Sequence, residues 1–425
     1  MMPPEERAAL QLGRMRRLLE RLHRTSSFYR QALDARGIKP QDLKSLDDVR
    51  HLPFTTKKDV VDHYPFGLLT VPLQQAVRLH ASSGTTGKPV VSFYTPHDLD
   101  VWAECCARAL VSAGIGRGDI VQNTHGYGLF TGGLGMHFGA EKVGALTIPI
   151  STGLTERQVM FMQDLGVTAL VVTPSYALVI AEKIEEMGID RSQLKLRVSI
   201  GGAEPSTEEM REKIEAKLGV KHYDVYGLLE IMGPGVAVEC VCQEGLHVQE
   251  DHVYAEIINP ETGQVLPPGE KGELVLTTLT KEGTPMLRYR TGDLTYFYEG
   301  PCPCGRTTVR IHKIIGRADD MVVVKGINVF PSQVESVILR HKELEPQYQL
   351  IVDRKNHLDT LEVEVEASEE FWGHGEAARE HMQKVLEKEL QDVLVVHAKV
   401  TVLAPKTLPR IEAGKARRVI DRRQL

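Results

Sequence analysis

The densest set of groups able to hold a polyphosphate is Ser82-Ser83-Gly84-Thr85-Thr86-Gly87-Lys88-Pro89. Gly84 and Gly87 permit the tight turn that brings backbone N–H groups against an anion, and four hydroxyls and the Lys88 ammonium add donors. The spacing departs from the common phosphate loop, which puts four residues between the first Gly and the Gly-Lys pair and a hydroxyl after the Lys. Here two residues intervene and Pro89 follows. Taken alone, the same composition also describes a Ser/Thr/Gly surface turn.

A second chemistry-bearing group is rich in sulfur. Four of the six cysteines stand in two Cys-X-Cys pairs, Cys240-Val241-Cys242 and Cys302-Pro303-Cys304, and His247 lies between them. Six cysteines in 425 residues make no disulfide framework, so the paired spacing points to metal before redox chemistry. Together with His247 they form a tetrahedral zinc set, and closed sites of Cys and His are generally structural. Spacing does not choose between Cys240 and Cys242, because alternate residues of a strand share a face.

These residues need a scaffold, and length and composition bound it. A chain of 425 residues that is 42% hydrophobic has material for a large core and at least two domains. A charged fraction of 25% and a net charge of -6 argue against disorder and against a nucleic-acid surface, so any nucleotide site must gather its cations locally. Met1 to Arg7 has no apolar signal core, and no run approaches the roughly 18 apolar residues of a membrane span. The expectation is a soluble cytoplasmic protein without a membrane partner.

Periodicity places the elements. Glu5 to Leu33 reads as one helix, with Leu12, Met15, Leu19 and Leu22 on one face and Arg14, Arg17, Arg21 and Arg24 as a solvated face. From Gly114 to Tyr226, strand candidates at Asp119–Asn123, Leu146–Ile150, Ala169–Thr173, Leu196–Ile200 and His222–Val225 alternate with helices that include Thr155–Leu165, Ser175–Met187 and Ser206–Leu218. This is an α/β pattern with a mainly parallel sheet, whose ligands collect beyond the carboxyl ends of the strands. After Tyr226 the chain turns β-rich, with antiparallel strands at Val253–Asn259 and Glu273–Leu279. Beyond Gly316, Met321–Lys325, Pro331–His341, Gln349–Asp353, Leu361–Glu366, Glu376–Gln391 and Ala398–Leu403 read as βαββαβ, a small α+β domain. The expected division is residues 1–316 and 317–425.

The glycine and hydroxyl loop is followed in order by Tyr226-Gly227-Leu228-Leu229-Glu230, Tyr289-Arg290-Thr291-Gly292-Asp293, Gly316-Arg317-Ala318-Asp319-Asp320 and Gly414-Lys415. Together these resemble the adenylate-forming superfamily of acyl- and aryl-CoA ligases, luciferases and peptide-synthetase adenylation domains. Gly126 to Gly135, Met232 to Ala237, Glu250-Asp251-His252 and Asn328-Val329-Phe330-Pro331 look like phenylacetate-CoA ligases and their close relatives. The resemblance runs from about residue 5 to the end of the sequence. It implies that ATP and an aromatic carboxylate, most simply phenylacetate, give an acyl-adenylate and pyrophosphate, after which the CoA thiol displaces AMP. A carboxylate is a poor electrophile whose oxide will not leave, and AMP supplies the leaving group. Two alternatives are transfer to a carrier-protein thiol or an amine, and a nucleotide-binding regulator without turnover. The presence of both Glu230 and Lys415 argues against the regulator. Relatives of this kind also imply a homodimer.

Carried onto this chain, the resemblance makes Glu230 the Mg²⁺ carboxylate, consistent with the preference of Mg²⁺ for one or two carboxylates with substrate phosphates and waters. Ser82, Ser83, Gly84, Thr85, Thr86, Gly87 and Lys88 would hold phosphate. Asp293 would accept both ribose hydroxyls, with Arg290 either keeping it ionised or closing a surface ion pair. Ala203, Glu204 and Pro205 would line adenine against the ring of Tyr226, with Asp224 and Gly227 beside them, and Arg317 would contact phosphate. Lys415 would bridge carboxylate and α-phosphate, Asp319 would be the hinge of the mobile small domain, and Gly326 would approach the pantetheine arm of CoA. His125, Tyr127, Phe130 and Gly132 would face the acyl group. Among the metal candidates the resemblance selects Cys240, His247, Cys302 and Cys304, leaving Cys242 spare. Two positions depart from the family pattern. Leu229 replaces a Ser or Thr before the magnesium Glu, so a phosphate hydrogen bond of about 1 kcal/mol is either missing or supplied by water. His125 stands where an aromatic residue is common, which suits a polar or hydroxylated acid such as a substituted benzoate or, equally, a structural histidine.

Overall fold

The computed structural model describes residues 2–82, 88–204, 206–317, 322–324, 327–355, 358–410 and 418–423. The N-terminal segment forms α1 (Pro4–Thr25), α2 (Ser27–Asp34) and α3 (Lys57–Asp62). The single helix expected over Glu5–Leu33 is broken at Ser26, whose backbone is extended and whose hydroxyl accepts from Tyr29 N. A serine oxygen competes well for the first free amides of a new helix, so the chain restarts there. The expected arginine face is also only partly solvated. Arg17 and Arg24 are exposed, whereas Arg14 donates to the Asp251 carbonyl and Arg21 Nη2 lies 2.9 Å from Glu282 Oε1.

Next come β1 (Arg78–Ala81) and β2 (Val91–Tyr94), an antiparallel hairpin, and α4 (Pro96–Ser112). The α/β portion runs β3 (Ile120–Asn123), α5 (Thr131–Val143), β4 (Leu146–Ile148), α6 (Thr155–Asp164), β5 (Ala169–Val172), α7 (Pro174–Glu186), β6 (Val198–Gly202), α8 (Glu208–Leu218), β7 (Lys221–Leu228), β8 (Gly233–Glu239) and β9 (Leu246–Val248). A β-rich portion follows with β10 (Val253–Ile258), β11 (Gly272–Thr278), β12 (Tyr289–Thr295), β13 (Arg310–Ile311) and β14 (Gly316–Arg317). Strands β4, β3, β5, β6 and β7 are parallel in that spatial order, and β8, β9 and β13 extend the same sheet antiparallel. β10, β11, β12 and β14 form a second, antiparallel sheet. The parallel strands are buried runs such as Ala169–Val172, which is why they read clearly in the sequence.

The remaining segment has its own apolar core, from Val322 to Val402. It contains β15 (Val322–Val324), β16 (Ile327–Val329), α9 (Pro331–Ile338), β17 (Leu344–Lys355), β18 (Leu358–Ala367), α10 (Glu369–Trp372), α11 (Glu376–Leu394), β19 (Ala398–Leu403) and β20 (Val419–Asp421). The expected first strand does not enter the main sheet. It pairs with β16, and the sheet order is β19-β18-β17-β20. Its edge strand comes from the basic C-terminal stretch: Val419 pairs with Leu350 and Ile420 with Ile351, in parallel. This small α+β unit meets the large one through polar contacts. Lys213 Nζ donates to Leu344 O at 2.9 Å, and Lys406 Nζ lies 3.0 Å from Glu186 Oε1. Arg410 holds Glu366 through both terminal nitrogens at 2.9 Å while its Nε reaches Glu182 Oε2 at 3.2 Å.

Candidate active site

The last residues of β7 carry the chain out of the parallel sheet into a tight hairpin with β8, and Glu230 sits in that turn. Gly227 has to be glycine, because a Cβ there would stand 1.9 Å from the Gly233 carbonyl oxygen. The amides of Ile231 and Met232 both donate to Leu228 O, at 3.2 and 3.1 Å. Glu230 Oε1 accepts from Tyr289 OH at 2.8 Å. Behind the turn, Tyr94 OH donates to the carbonyls of Leu229 (3.3 Å) and Met232 (3.1 Å), and Lys281 Nζ donates to the carbonyl of Glu230 (3.0 Å). Burial pushes Lys281 down to about 8, although Asp98 and Glu230 favour its charge.

Four residues before Glu230, Tyr226 donates its hydroxyl to Asp293 Oδ2 at 2.5 Å. Asp293 lies on β12, buried, with its amide on Thr291 Oγ1 at 3.0 Å and its backbone paired with Arg317 of β14. Arg290 closes an ion pair with the neighbouring strand: its Nε donates to Glu273 Oε2 at 2.9 Å, and its Nη2 donates to Pro260 O at 2.8 Å. Ala203 follows β6 in a left-handed conformation, φ 74°, and Glu204 Oε1 accepts from Ser175 N at the start of α7 (2.5 Å). The Asp224 side chain is buried with Glu239, Lys313 and Arg211 around it. Its amide donates to Glu239 Oε2 at 2.8 Å, and burial raises its carboxyl to about 7.

The glycine and hydroxyl loop lies between β1 and β2, where Ser82 N donates to Val90 O (2.9 Å) and Val90 N to Ser82 Oγ (3.0 Å). Lys88 is exposed, its Nζ 5.9 Å from the centre of the Tyr64 ring. Ser83, Gly84, Thr85, Thr86, Gly87, Pro205, Asp319, Gly326, Lys415 and the Arg317 side chain lie outside the described residues.

After β3, residues 124–130 fold back on the start of α5. A Cβ on Gly133 would stand 2.4 Å from Gly126 O, and one on Gly132 3.1 Å from His125 Cγ. Asn123 Nδ2 ties this loop down, donating to Gly133 O at 2.8 Å and to Tyr127 OH at 2.9 Å. Tyr127 OH also meets His137 Nδ1 at 3.2 Å, and Phe130 is exposed at the head of α5. Burial holds the His125 ring neutral, pushed down to about 4.

The second cluster gathers Cys240, His247, Cys302 and Cys304, whose ligand atoms all lie within 4.8 Å of one another. Cys240 Sγ is 3.6 Å from Cys302 Sγ, and Cys304 Sγ is 3.4 Å from His247 Nε2. A tetrahedral zinc with Zn–S of about 2.3 Å and Zn–N of about 2.0–2.1 Å has S···S and S···N edges of roughly 3.8 and 3.6 Å, so the set fits. His247 Nδ1 contacts Thr308 Oγ1 at 2.9 Å, which orients Nε2 toward the sulfurs. Burial opposes the Cys304 thiolate, but the Arg306 amide helps bring the thiol down to about 7. Cys242 is excluded because β8 ends at Glu239 and Gln243 N turns back to Cys240 O (2.9 Å), so the alternation of the strand no longer applies.

Sequence reasoning missed Lys281, Tyr94 and Tyr289 as supports of Glu230. Thr280-Lys281-Glu282-Gly283 has the composition of any polar turn, and nothing local ties it to a residue fifty positions earlier. Glu250-Asp251-His252 serves the scaffold: Glu250 Oε2 pairs with Arg7 Nε (3.0 Å) and Asp251 Oδ2 with Arg108 Nη1 (2.8 Å).

A buried aspartate bonded to a tyrosine four residues before a carboxylate-bearing turn is the arrangement expected of the adenylate-forming class, here an AMP-forming acid–thiol ligase. Two family profiles agree: "AMP-binding enzyme" over residues 75–280 and "AMP-binding enzyme C-terminal domain" over residues 326–423. The chain belongs to the phenylacetate-CoA ligase family of that class, the enzymes that activate an aryl acid with ATP and form its CoA thioester. It is 48% identical to the phenylacetate-coenzyme A ligase of Aromatoleum evansii over 99% of this chain and 95% of that one. The corresponding enzyme of Thermus thermophilus is 46% identical over 100% and 98%. Among solved structures, 2-hydroxyisobutyryl-CoA ligase in its postadenylation state with R3-HIB-AMP superposes with a TM-score of 0.93 at 30% identity, covering 99% of this chain and 90% of that one. The same ligase in its thioesterification state, with 2-HIB-AMP and CoA, gives 0.73 at 31% identity, covering 100% and 91%. The arrangement of the two units here is therefore more similar to that ligase's postadenylation structure than to its thioesterification structure.

Proposed function

We propose that the chain converts phenylacetate, ATP and CoA to phenylacetyl-CoA, AMP and pyrophosphate. The observation that carries this is the Tyr226–Asp293 pair standing directly before the Glu230 turn. One side chain presents a ring face and fixes a carboxylate for the ribose, and the other offers a carboxylate where the phosphates would lie. Asp293 accepts the ribose hydroxyls, and the Tyr226 ring packs on adenine beside Ala203 and Glu204. Ser82 and Lys88 close the phosphate loop, and Glu230, oriented by Tyr289, would hold Mg²⁺, which when bound neutralises phosphate charge. Lys415 stabilises the anionic oxygens at adenylation, and the unit after Arg317 turns about Asp319 so that CoA enters past Gly326. His125, Tyr127, Phe130 and Gly132 bound the acid. The neutral His125 ring supports a second reading in which the acid carries a polar ring substituent. Zinc at Cys240, His247, Cys302 and Cys304 would be structural, joining three separated segments with no open position for substrate. The free state of all six cysteines fits a reducing cytoplasm, and a homodimer remains part of the proposal.

The test is acid-dependent pyrophosphate release with ATP and Mg²⁺ across phenylacetate, benzoates, hydroxy- and aminobenzoates, indoleacetate and fatty acids, each with and without CoA. Turnover selective for phenylacetate and raised by CoA supports the proposal. Selective turnover of a hydroxybenzoate moves the substrate to the second reading. Release without CoA consumption points to a carrier or amine acceptor, and no release with any acid to a regulator.

A further inference from the structure

We propose that Lys281 is a positioning residue for adenylation: its ammonium fixes the backbone of the turn that aims the Glu230 carboxylate. The inference rests on the reading of Glu230 as the magnesium carboxylate. Lys281 is 7% exposed, yet its Nζ is fully engaged, donating to Ser92 Oγ at 2.7 Å and Glu230 O at 3.0 Å and lying 4.8 Å from the centre of the Tyr94 ring. Enclosing an ammonium costs several kcal/mol of hydration, and an apolar side chain of similar length would fill the same space without that penalty. A purely structural site has little reason to keep the charge.

The placement of the partners gives the charge a use. Ser92 belongs to β2, the strand that follows the proposed phosphate loop, and Glu230 lies in the β7–β8 turn, so one ammonium joins the backing of both proposed phosphate contacts. The lysine is itself held in place. Asp98 takes the amides of Glu282 (2.7 Å) and Gly283 (2.9 Å) on one side and of Thr95 (2.9 Å) on the other, which locks the 281–283 segment to the start of α4. Position 229, directly before the carboxylate, is leucine and has no hydroxyl to bond phosphate or brace the turn. Lys281 and Tyr94 brace it from behind, through the carbonyls of residues 229, 230 and 232. Lys281 stays with the large unit whatever the small one does, so its effect belongs to the half-reaction that uses Glu230.

The experiment compares Lys281→Met, Tyr94→Phe and Glu230→Gln in the full-length enzyme. Pyrophosphate release is titrated with Mg²⁺, and thioester formation is measured separately from preformed acyl-adenylate and CoA. Misplacing a catalytic group by about 1 Å can lower a rate roughly 100-fold, so Lys281→Met should slow adenylation roughly 10- to 100-fold and raise the Mg²⁺ concentration at half-maximal rate. Its thioester half-reaction should stay within about twofold of the parent. Tyr94→Phe, which keeps the ring and loses the one hydroxyl proton shared between two carbonyls of the turn, should move the same quantities in the same direction and carries the test if Lys281→Met does not fold. Equal loss of both half-reactions, or an unchanged Mg²⁺ dependence in both variants, overturns the proposal. Glu230→Gln separates the two levels. If it leaves adenylation and its Mg²⁺ dependence intact, the reading of Glu230 fails. If it abolishes adenylation while the other two variants behave as the parent, only the role of Lys281 fails.

Discussion

Replacing Tyr226 with phenylalanine separates two functions of one side chain. The ring face remains, while the hydroxyl that meets Asp293 Oδ2 at 2.5 Å is lost. A hydrogen bond to a charged group contributes about 1.5–3 kcal/mol, which corresponds to a factor of roughly 10 to 150 in an equilibrium constant. That bond exists before nucleotide arrives, so part of its loss appears in folding stability. The rest appears in ATP affinity, because a carboxylate deprived of one donor samples positions from which it no longer meets both ribose hydroxyls. We expect the Tm to fall by a few degrees and KM for ATP to rise about tenfold, with kcat within about threefold of the parent. The assay is pyrophosphate release against ATP at saturating acid, with AMP binding by calorimetry as an independent measure. A KM within twofold of the parent, or a fall in kcat at constant KM, would refute the assignment of Asp293 and Tyr226 to ribose binding.

Three further outcomes are expected. Protein purified without chelator should carry close to one zinc per chain, and less than about 0.2 would sink the metal assignment; Cys302→Ala should lose the metal and with it much of the thermal stability. Lys415→Ala should abolish adenylation while sparing thioester formation from preformed acyl-adenylate, and loss of both would count against a lysine that serves only the first half-reaction. His125 is held neutral with its pKa pushed down to about 4, against about 6.5 in an unfolded chain, so the unfolded state binds more protons between those values. Its stabilisation is therefore complete above about pH 6.5 and is lost as pH falls toward 4. In His125→Phe the Tm should fall less between pH 7 and pH 5 than in the parent, and parallel curves would mean that the ring is not kept neutral by burial.

Where periodicity was continuous, the sequence was easy to read. Thr155–Asp164 and Glu208–Leu218 match the expected helices to within two residues, because a single apolar stripe spans each of them. Ser26 interrupts such a stripe without changing its phase, so only a competing side-chain bond marks the break. β20 is three residues long inside an arginine-rich stretch, too short for any alternation to stand out. At the site, Glu230, Tyr226 and Asp293 could be proposed from the sequence because their motifs stand in a set order along the chain. The choice of Arg290 could not be, since its partner Glu273 reaches it across neighbouring strands. Spacing left Cys240 and Cys242 undecided because the choice turns on where β8 stops, so only the resemblance made it, and Lys281 bonds a carbonyl 51 positions earlier in the chain.

The position of β20 changes how the end of the sequence should be regarded. Residue 410 is anchored on Glu366 within the small unit, and residues 419–421 are stitched to β17 of the same unit. The described residues on both sides of position 415 therefore belong to one body, and whatever turns that body turns both of these anchor points together. The last residues act as a mooring line: trimming the chain just beyond position 415 would leave every proposed contact residue in the sequence and still remove the strand that ties this stretch to β17.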